Sequence, residues 1–229
     1  RPVINLGFSG NGRMEKEVGE FLVELNPSVY VIDCLPNMTA DNITERAWTG
    51  LLAELRRYGD STAIRIVLVG HSRGGHIVID IAKRLQRLHV GDLTPSFRDP
   101  TAENRNPRYQ VHFLGLYDAV DMTWNGDNTD RIPSNIRYYA HAMRSPDVGS
   151  RSSWGNAGWD VMSSTEHRTQ FFRATHGSIG GAPPSACSTE LALISDQCDV
   201  NLTEIQNTMA GRDAHRFILD HAQRAGLRL

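Results

Sequence analysis

The chain has 229 residues, enough for one compact core and short for two. Hydrophobic residues make up 40% and charged residues 22%, with 24 Lys and Arg against 26 Asp and Glu, the balance of a soluble globular protein of net charge −2. There is no basic stripe or polybasic tail and no apolar run of membrane-spanning length, so nucleic acid, an anionic membrane surface and a transmembrane segment are not expected.

In chain order, Val3 to Gly7 reads as a first strand. A helix is expected over 13–26, with Met14, Val18, Phe21, Leu22 and Leu25 on one face. Residues 29–33 read as a second strand. A helix follows over 41–57, with Ile43, Ala47, Leu51 and Leu55 at helical spacing. Residues 65–69 are apolar without alternation, as suits a central strand covered on both faces. A helix from Gly74 to about Leu88 comes next. Pro95, Pro100 and Pro107 make 91–108 a loop. Strands are expected at 110–117, 136–141 and 169–175, and the loop over 177–200 is rich in small residues. The last helix runs from about Leu202 to Ala225, with an interruption expected near Gly211. This order implies an α/β fold of about six mostly parallel strands with helices on both faces. Residues 1–229 form a single domain, with cap or lid loops expected at 91–108 and 122–165.

Gly70-His71-Ser72-Arg73-Gly74 matches G-x-S-x-G. The pattern is weak by itself, but here it lies between the most apolar strand and an amphipathic helix. That tight turn lifts the serine hydroxyl above the carboxyl end of the sheet and strains its backbone. Ser72 is therefore the candidate nucleophile. The Arg73 N–H, at a helix N-terminus, is the candidate first oxyanion donor. The inert reading is a Gly-rich turn.

A serine needs a base, and the base an orienting acid, in the chain order Ser, acid, His. Of nine histidines, His71 lies inside the elbow and is expected to face away from the attack. His76, His89, His112, His215 and His221 lie within helices or a strand. His176 follows the last strand and precedes a glycine-rich segment, so it is the candidate base, with His141 as the alternative. Asp118, directly after the fourth strand, is the candidate acid, with Asp121 and Asp147 as alternatives. The second oxyanion donor belongs to the loop after the first strand, Gly7-Phe8-Ser9-Gly10-Asn11-Gly12: Phe8 N–H first, Ser9 N–H second. No Lys stands there in P-loop register, which argues against nucleotide.

Ser9, Met122 and Trp124 are candidate substrate contacts, and Met143, Trp154, Trp159 and Met162 can join an acyl pocket. The plainer reading is that these side chains bury loops against the sheet. Of three cysteines, Cys34 is expected to be buried. Cys187 and Cys198 close a short loop suited to a disulfide in a secreted protein. No cysteine pair has zinc-site spacing, and neither metal nor organic cofactor is called for.

Two resemblances carry these readings further. GHSRGG at 70–75, FLGLYDAV at 113–120, YYAHAMRS at 138–145 and RATHGSIGG at 173–181 resemble the α/β-hydrolase branch that includes type VI secretion phospholipase effectors. That resemblance implies a lipid or carboxylester hydrolase with its acid after the strand that follows the elbow helix. It favours Asp118 over Asp147 and His176 over His141. INLGFSGNGRMEKEVGEFL and VIDCLPNM, within residues 3–40, resemble an SGNH-type esterase family, in which Gly10 and Asn37 would be oxyanion donors. That family's nucleophile block and its Asp-x-x-His are absent. The expected substrate is a small-molecule or lipid ester. The competing readings are an SGNH-like esterase using Ser9 or another serine, and a non-catalytic binding domain on a hydrolase scaffold.

Overall fold

The computed structural model describes residues 3–8, 30–31, 40–58, 64–88, 109–120, 131–150, 156–162, 165–182, 184, 198–199 and 201–227. Its elements in order are β1 (Val3–Phe8), β2 (Tyr30–Val31), α1 (Ala40–Tyr58), β3 (Arg65–His71), α2 (Arg73–Arg87), β4 (Val111–Tyr117), β5 (Arg131–Ile132), β6 (Tyr138–Arg144), β7 (Asp160–Val161), β8 (Glu166–Phe172), α3 (His176–Ile179) and α4 (Glu204–Arg224). The helix expected over 13–26 and the loop over 91–108 lie outside the described residues.

Six strands form one parallel sheet in the order β2-β1-β3-β4-β6-β8. The α/β, mostly parallel fold expected from the sequence is the fold observed. The unbroken apolarity of β3 has a direct cause. Ile66 and Leu68 pack with Ile43, Ala47, Leu51 and Leu55 of α1 and with Ile77, Val78, Ile81 and Leu85 of α2. Val67 and Val69 turn to the other face, with Ala214, Ile218 and Ala222 of α4. A strand covered on both sides has no solvent face and so no alternation.

Several boundaries differ from expectation. β8 begins and ends three residues earlier than 169–175. Its exposed residues 166–170 (EHRTQ) mark an edge strand without apolar periodicity. The strand expected at 136–141 runs from Tyr138 to Arg144, fully buried, within the broader span over which a cap or lid was expected. The short pair β5 and β7 was not expected at all. α4 runs unbroken through Gly211, where a Cβ would meet the Ser178 carbonyl oxygen at 2.3 Å. That glycine is a contact between helices rather than a break. Thr203 and Gln206 close a capping box at the start of α4.

The strand order reverses at β1. β2 lies on one side of it and the other four strands of this sheet on the other, so the carboxyl ends of β1 and β3 flank a switch point where α/β sheets hold ligands. Phe8 ends β1 in register with Gly70, two residues before Ser72.

Leu68 is fully buried at the centre of this sheet. Leu68→Ala is expected to cost about 2–5 kcal/mol. Urea denaturation should show a lower midpoint with an unchanged m-value.

Candidate active site

β3 runs through Gly70 and His71 before the chain turns sharply into α2. Ser72 occupies the turn at φ 57°, ψ −128°, a conformation that side chains rarely adopt. A Cβ on Gly70 would lie 2.4 Å from the Gly74 carbonyl oxygen, so only glycine lets the helix start this close to the strand. The turn is tied to its neighbours. Ser72 N–H donates to the Tyr117 carbonyl at 3.1 Å, and the Ser72 carbonyl accepts from Gly75 N–H at 3.0 Å and Val120 N–H at 3.2 Å.

Asp118 ends β4 beside it, because His71 and Tyr117 are in register. Asp118 has φ 41°, in the left-handed region that Asp tolerates better than most residues. Its N–H donates to the Ala142 carbonyl at 2.7 Å, and Ala119 N–H donates to His141 Nε2 at 3.1 Å. With that nitrogen accepting, His141 carries its proton on Nδ1 and donates it to the Tyr139 hydroxyl at 2.9 Å. The hydroxyl in turn donates to the Gly158 carbonyl at 2.8 Å. Burial holds His141 down to about 4, against a smaller upward pull from the Asp118 charge. His141, the alternative base, is thus a neutral acceptor pinning the turn that bears the carboxylate.

His176 opens α3, capped by the Thr175 side chain. Asn207 of α4 accepts from Thr175 N–H at 2.9 Å and holds the turn in place. His176 N–H donates to Ser150 Oγ at 3.2 Å, and the His176 carbonyl accepts from His71 Nε2 at 3.0 Å. The His71 ring lies 4.7 Å from the His176 ring. His71 therefore does not face away from the site, as expected from its place in the elbow. It supports His176 from below.

The result is a continuous hydrogen-bonded line. Ser72 Oγ and His176 Nε2 are 2.8 Å apart, and His176 Nδ1 and Asp118 Oδ2 are 2.7 Å apart. All three residues have 0% exposure. Burial alone would raise the Asp118 carboxyl. The hydrogen bond from His176, the charges of His176 and Arg144, and the Arg144 N–H on Oδ1 at 3.0 Å together hold it down at about 2. A neutral imidazole bonded this way donates from Nδ1 to the carboxylate and presents the Nε2 lone pair to the serine hydroxyl.

Asp147 is exposed and bonded to Ser145 and to Arg173, the latter at 2.8 Å, with no bond to His176. Arg73 is the first residue of α2, and Phe8 the last of β1. Met143 is fully buried, while Trp159 is 50% exposed, its ring 6.1 Å from that of Phe171 and tilted to it. Ser9, Asp121, Met122, Trp124, Trp154, Cys34 and Cys187 lie outside the described residues. Cys198 is buried and disulfide-bonded. Its neighbour Asp199 accepts from Gly149 N–H at 2.7 Å, next to Ser150. Among the described residues, no cluster of His, Cys, Asp and Glu could hold a metal, and no helix is long and apolar enough to cross a membrane. The reading of the sequence alone missed Arg144, Ser150, Asn207 and the support from His71. A charged residue ending an otherwise apolar strand was the one available signal for Arg144.

Residues 1–111 match the GDSL-like Lipase/Acylhydrolase family. No curated protein matches the chain. Solved structures with a distant likeness include two. One is an iodinated complex of acetyl xylan esterase, 13% identical, with a TM-score of 0.39 over 98% of this chain and 99% of that one. The other is an uncharacterized protein from Pseudomonas aeruginosa, 20% identical, with a TM-score of 0.33 over 73% of this chain and 28% of that one.

The buried histidine and carboxylate make stability depend on pH. Below pH 6.5 the unfolded chain takes a proton at residue 141 that the folded chain refuses until about pH 4. Stability therefore falls as pH drops through that window, by about 3 kcal/mol at most. Asp118, held at about 2 against an ordinary 3.8, continues the loss below pH 4. Burial lowers His221 too, so its effect has the same sign. Urea midpoints measured from neutral to acid pH should fall throughout, and His141→Gln should flatten the slope between pH 6.5 and 4.

Proposed function

We propose that this protein is a serine hydrolase that cleaves carboxylic esters through an acyl-enzyme on Ser72. The observation that carries the reading is the single imidazole hydrogen-bonded at one nitrogen to a serine hydroxyl and at the other to a buried carboxylate. The similarity of residues 1–111 to an acylhydrolase family agrees with ester chemistry. That segment includes Ser72, Arg73 and Phe8, whereas Asp118 and His176 lie beyond it.

Ser72 Oγ attacks the ester carbonyl as its proton passes to His176 Nε2. The carbonyl π electrons move onto oxygen, where the N–H groups of Arg73 and Phe8 stabilise the charge. Asp118 keeps the Nδ1 proton in place and balances the imidazolium. The tetrahedral intermediate collapses, the C–O bond to the alcohol breaks, and Nε2 returns the proton to the departing oxygen. Water then repeats the sequence on the acyl-enzyme and frees the acid. No step calls on a metal or organic cofactor. Ser9, Met122 and Trp124 are proposed to contact the acyl or alcohol part. The substrate class is a small-molecule or lipid ester, with phospholipids included.

A second reading has a specific observation in its favour. The match over residues 1–111 suits an SGNH-like esterase that uses another serine, such as Ser9, at least as well. Substitution separates the two. With p-nitrophenyl esters of increasing acyl length, Ser72→Ala is expected to lower kcat about ten-thousand-fold or more, and Ser9→Ala to leave most activity. The reverse result would establish the second reading. Asp118→Asn should lower kcat by about 10⁴-fold, and Asp147→Asn should change it little.

A further inference from the structure

β6 is buried along its whole length and ends in a charge. Arg144 is 7% exposed, and its Nη1 is buried with no hydrogen-bond partner among the described residues. A guanidinium cannot shed its proton, so burying it incompletely bonded opposes folding unless its charge is used. Its Nε lies 3.8 Å from Asp118 Oδ2. That is beyond hydrogen-bond reach yet close enough for a strong charge interaction at low dielectric. The aim of the carboxylate is fixed by other groups: the Arg144 backbone N–H on Oδ1 and His176 on Oδ2. The side chain therefore contributes charge, whereas the backbone contributes geometry.

We propose that Arg144 is a positioning residue of the site, whose fixed positive charge offsets part of the Asp118 carboxylate's hold on the imidazole proton and so extends activity toward acid pH. The proposal rests on Ser72 and His176 acting as nucleophile and base. When the oxyanion and the imidazolium form, their opposite charges are matched by those of Asp118 and Arg144, and the four sum to zero. Without the guanidinium the same buried cluster carries a net negative charge, and the imidazole keeps its proton to higher pH.

Among the described residues, the other titratable groups that face this cluster are His141 of β6 and His71 of β3, with buried Asp199 one step away through Gly149 and Ser150. Burial holds His141 down to about 4, and its Nε2 accepts from Ala119 N–H beside Asp118. His71 is bonded to the His176 carbonyl and lies against its ring, so His71→Gln serves as the control for its protonation.

The test is kcat/KM against pH for a short-chain p-nitrophenyl ester with the wild-type protein, Arg144→Met, Arg144→Gln and Arg144→Lys, each checked for folding by circular dichroism. Two neutral variants are made so that the failure of one to fold does not remove the test. The expected result is an acid limb moved up by about one pH unit in the neutral variants and restored by lysine. The plateau kcat should fall less than about tenfold, because the backbone N–H still aims the carboxylate. An unmoved limb with a uniform loss of kcat would overturn the proposal, as would a change confined to KM, which would mean that the side chain meets substrate. A wild-type protein that turns over no ester would instead sink the serine-hydrolase reading itself.

Discussion

A carboxylate with no solvent exposure must be held charged by its neighbours, and at Asp118 nearly every local feature of the fold contributes to that. Burial by itself pushes its pKa up. His176 on one oxygen, the Arg144 N–H on the other and the guanidinium behind them overcome that penalty. The same interactions fix the imidazole tautomer. An ionised Asp118 accepts the Nδ1 proton, which leaves the Nε2 lone pair for the Ser72 hydroxyl. The reactivity proposed for Ser72 thus depends on the electrostatics of a residue one strand away.

The sheet supplies the distances. β3 and β4 are adjacent and in register through His71 and Tyr117, so Ser72 and Asp118 emerge side by side from neighbouring strands. The ladder continues into the turns, through Ser72 N–H to the Tyr117 carbonyl and Asp118 N–H to the Ala142 carbonyl. His176 reaches back from the segment after the edge strand β8. It is held at its N–H by Ser150 and at its carbonyl by His71. Two strained residues, Ser72 and Asp118, thereby sit on a rigid frame. Disulfide-bonded Cys198 precedes Asp199, which accepts from Gly149 N–H beside Ser150.

The fold was legible in the sequence wherever burial produced a pattern. β3 has no solvent face and read as a central strand. α1 has one buried stripe, α2 places its apolar residues at helical spacing, and both read as helices. β8 was placed three residues late because an exposed edge strand carries no apolar signal, and β5 and β7 are too short for one. Ser72, Asp118 and His176 stood out because each follows a strand in the order that acyl-transfer chemistry uses. The structure brings these three within hydrogen-bonding distance. What stayed hidden was the environment of each group. No local pattern tells that the His71 ring turns under His176, that His141 is a neutral acceptor, or that Arg144 is buried against the carboxylate. Those are contacts between strands adjacent in space but distant in sequence.

Reaction with a fluorophosphonate, followed by peptide mapping, tests the central claim most directly, because only a serine activated by a neighbouring base attacks phosphorus quickly. The account predicts a single adduct on the peptide carrying Ser72, and its loss in a folded His176→Ala variant. An adduct on a different serine, or modification of Ser72 that persists undiminished without the imidazole, would contradict it.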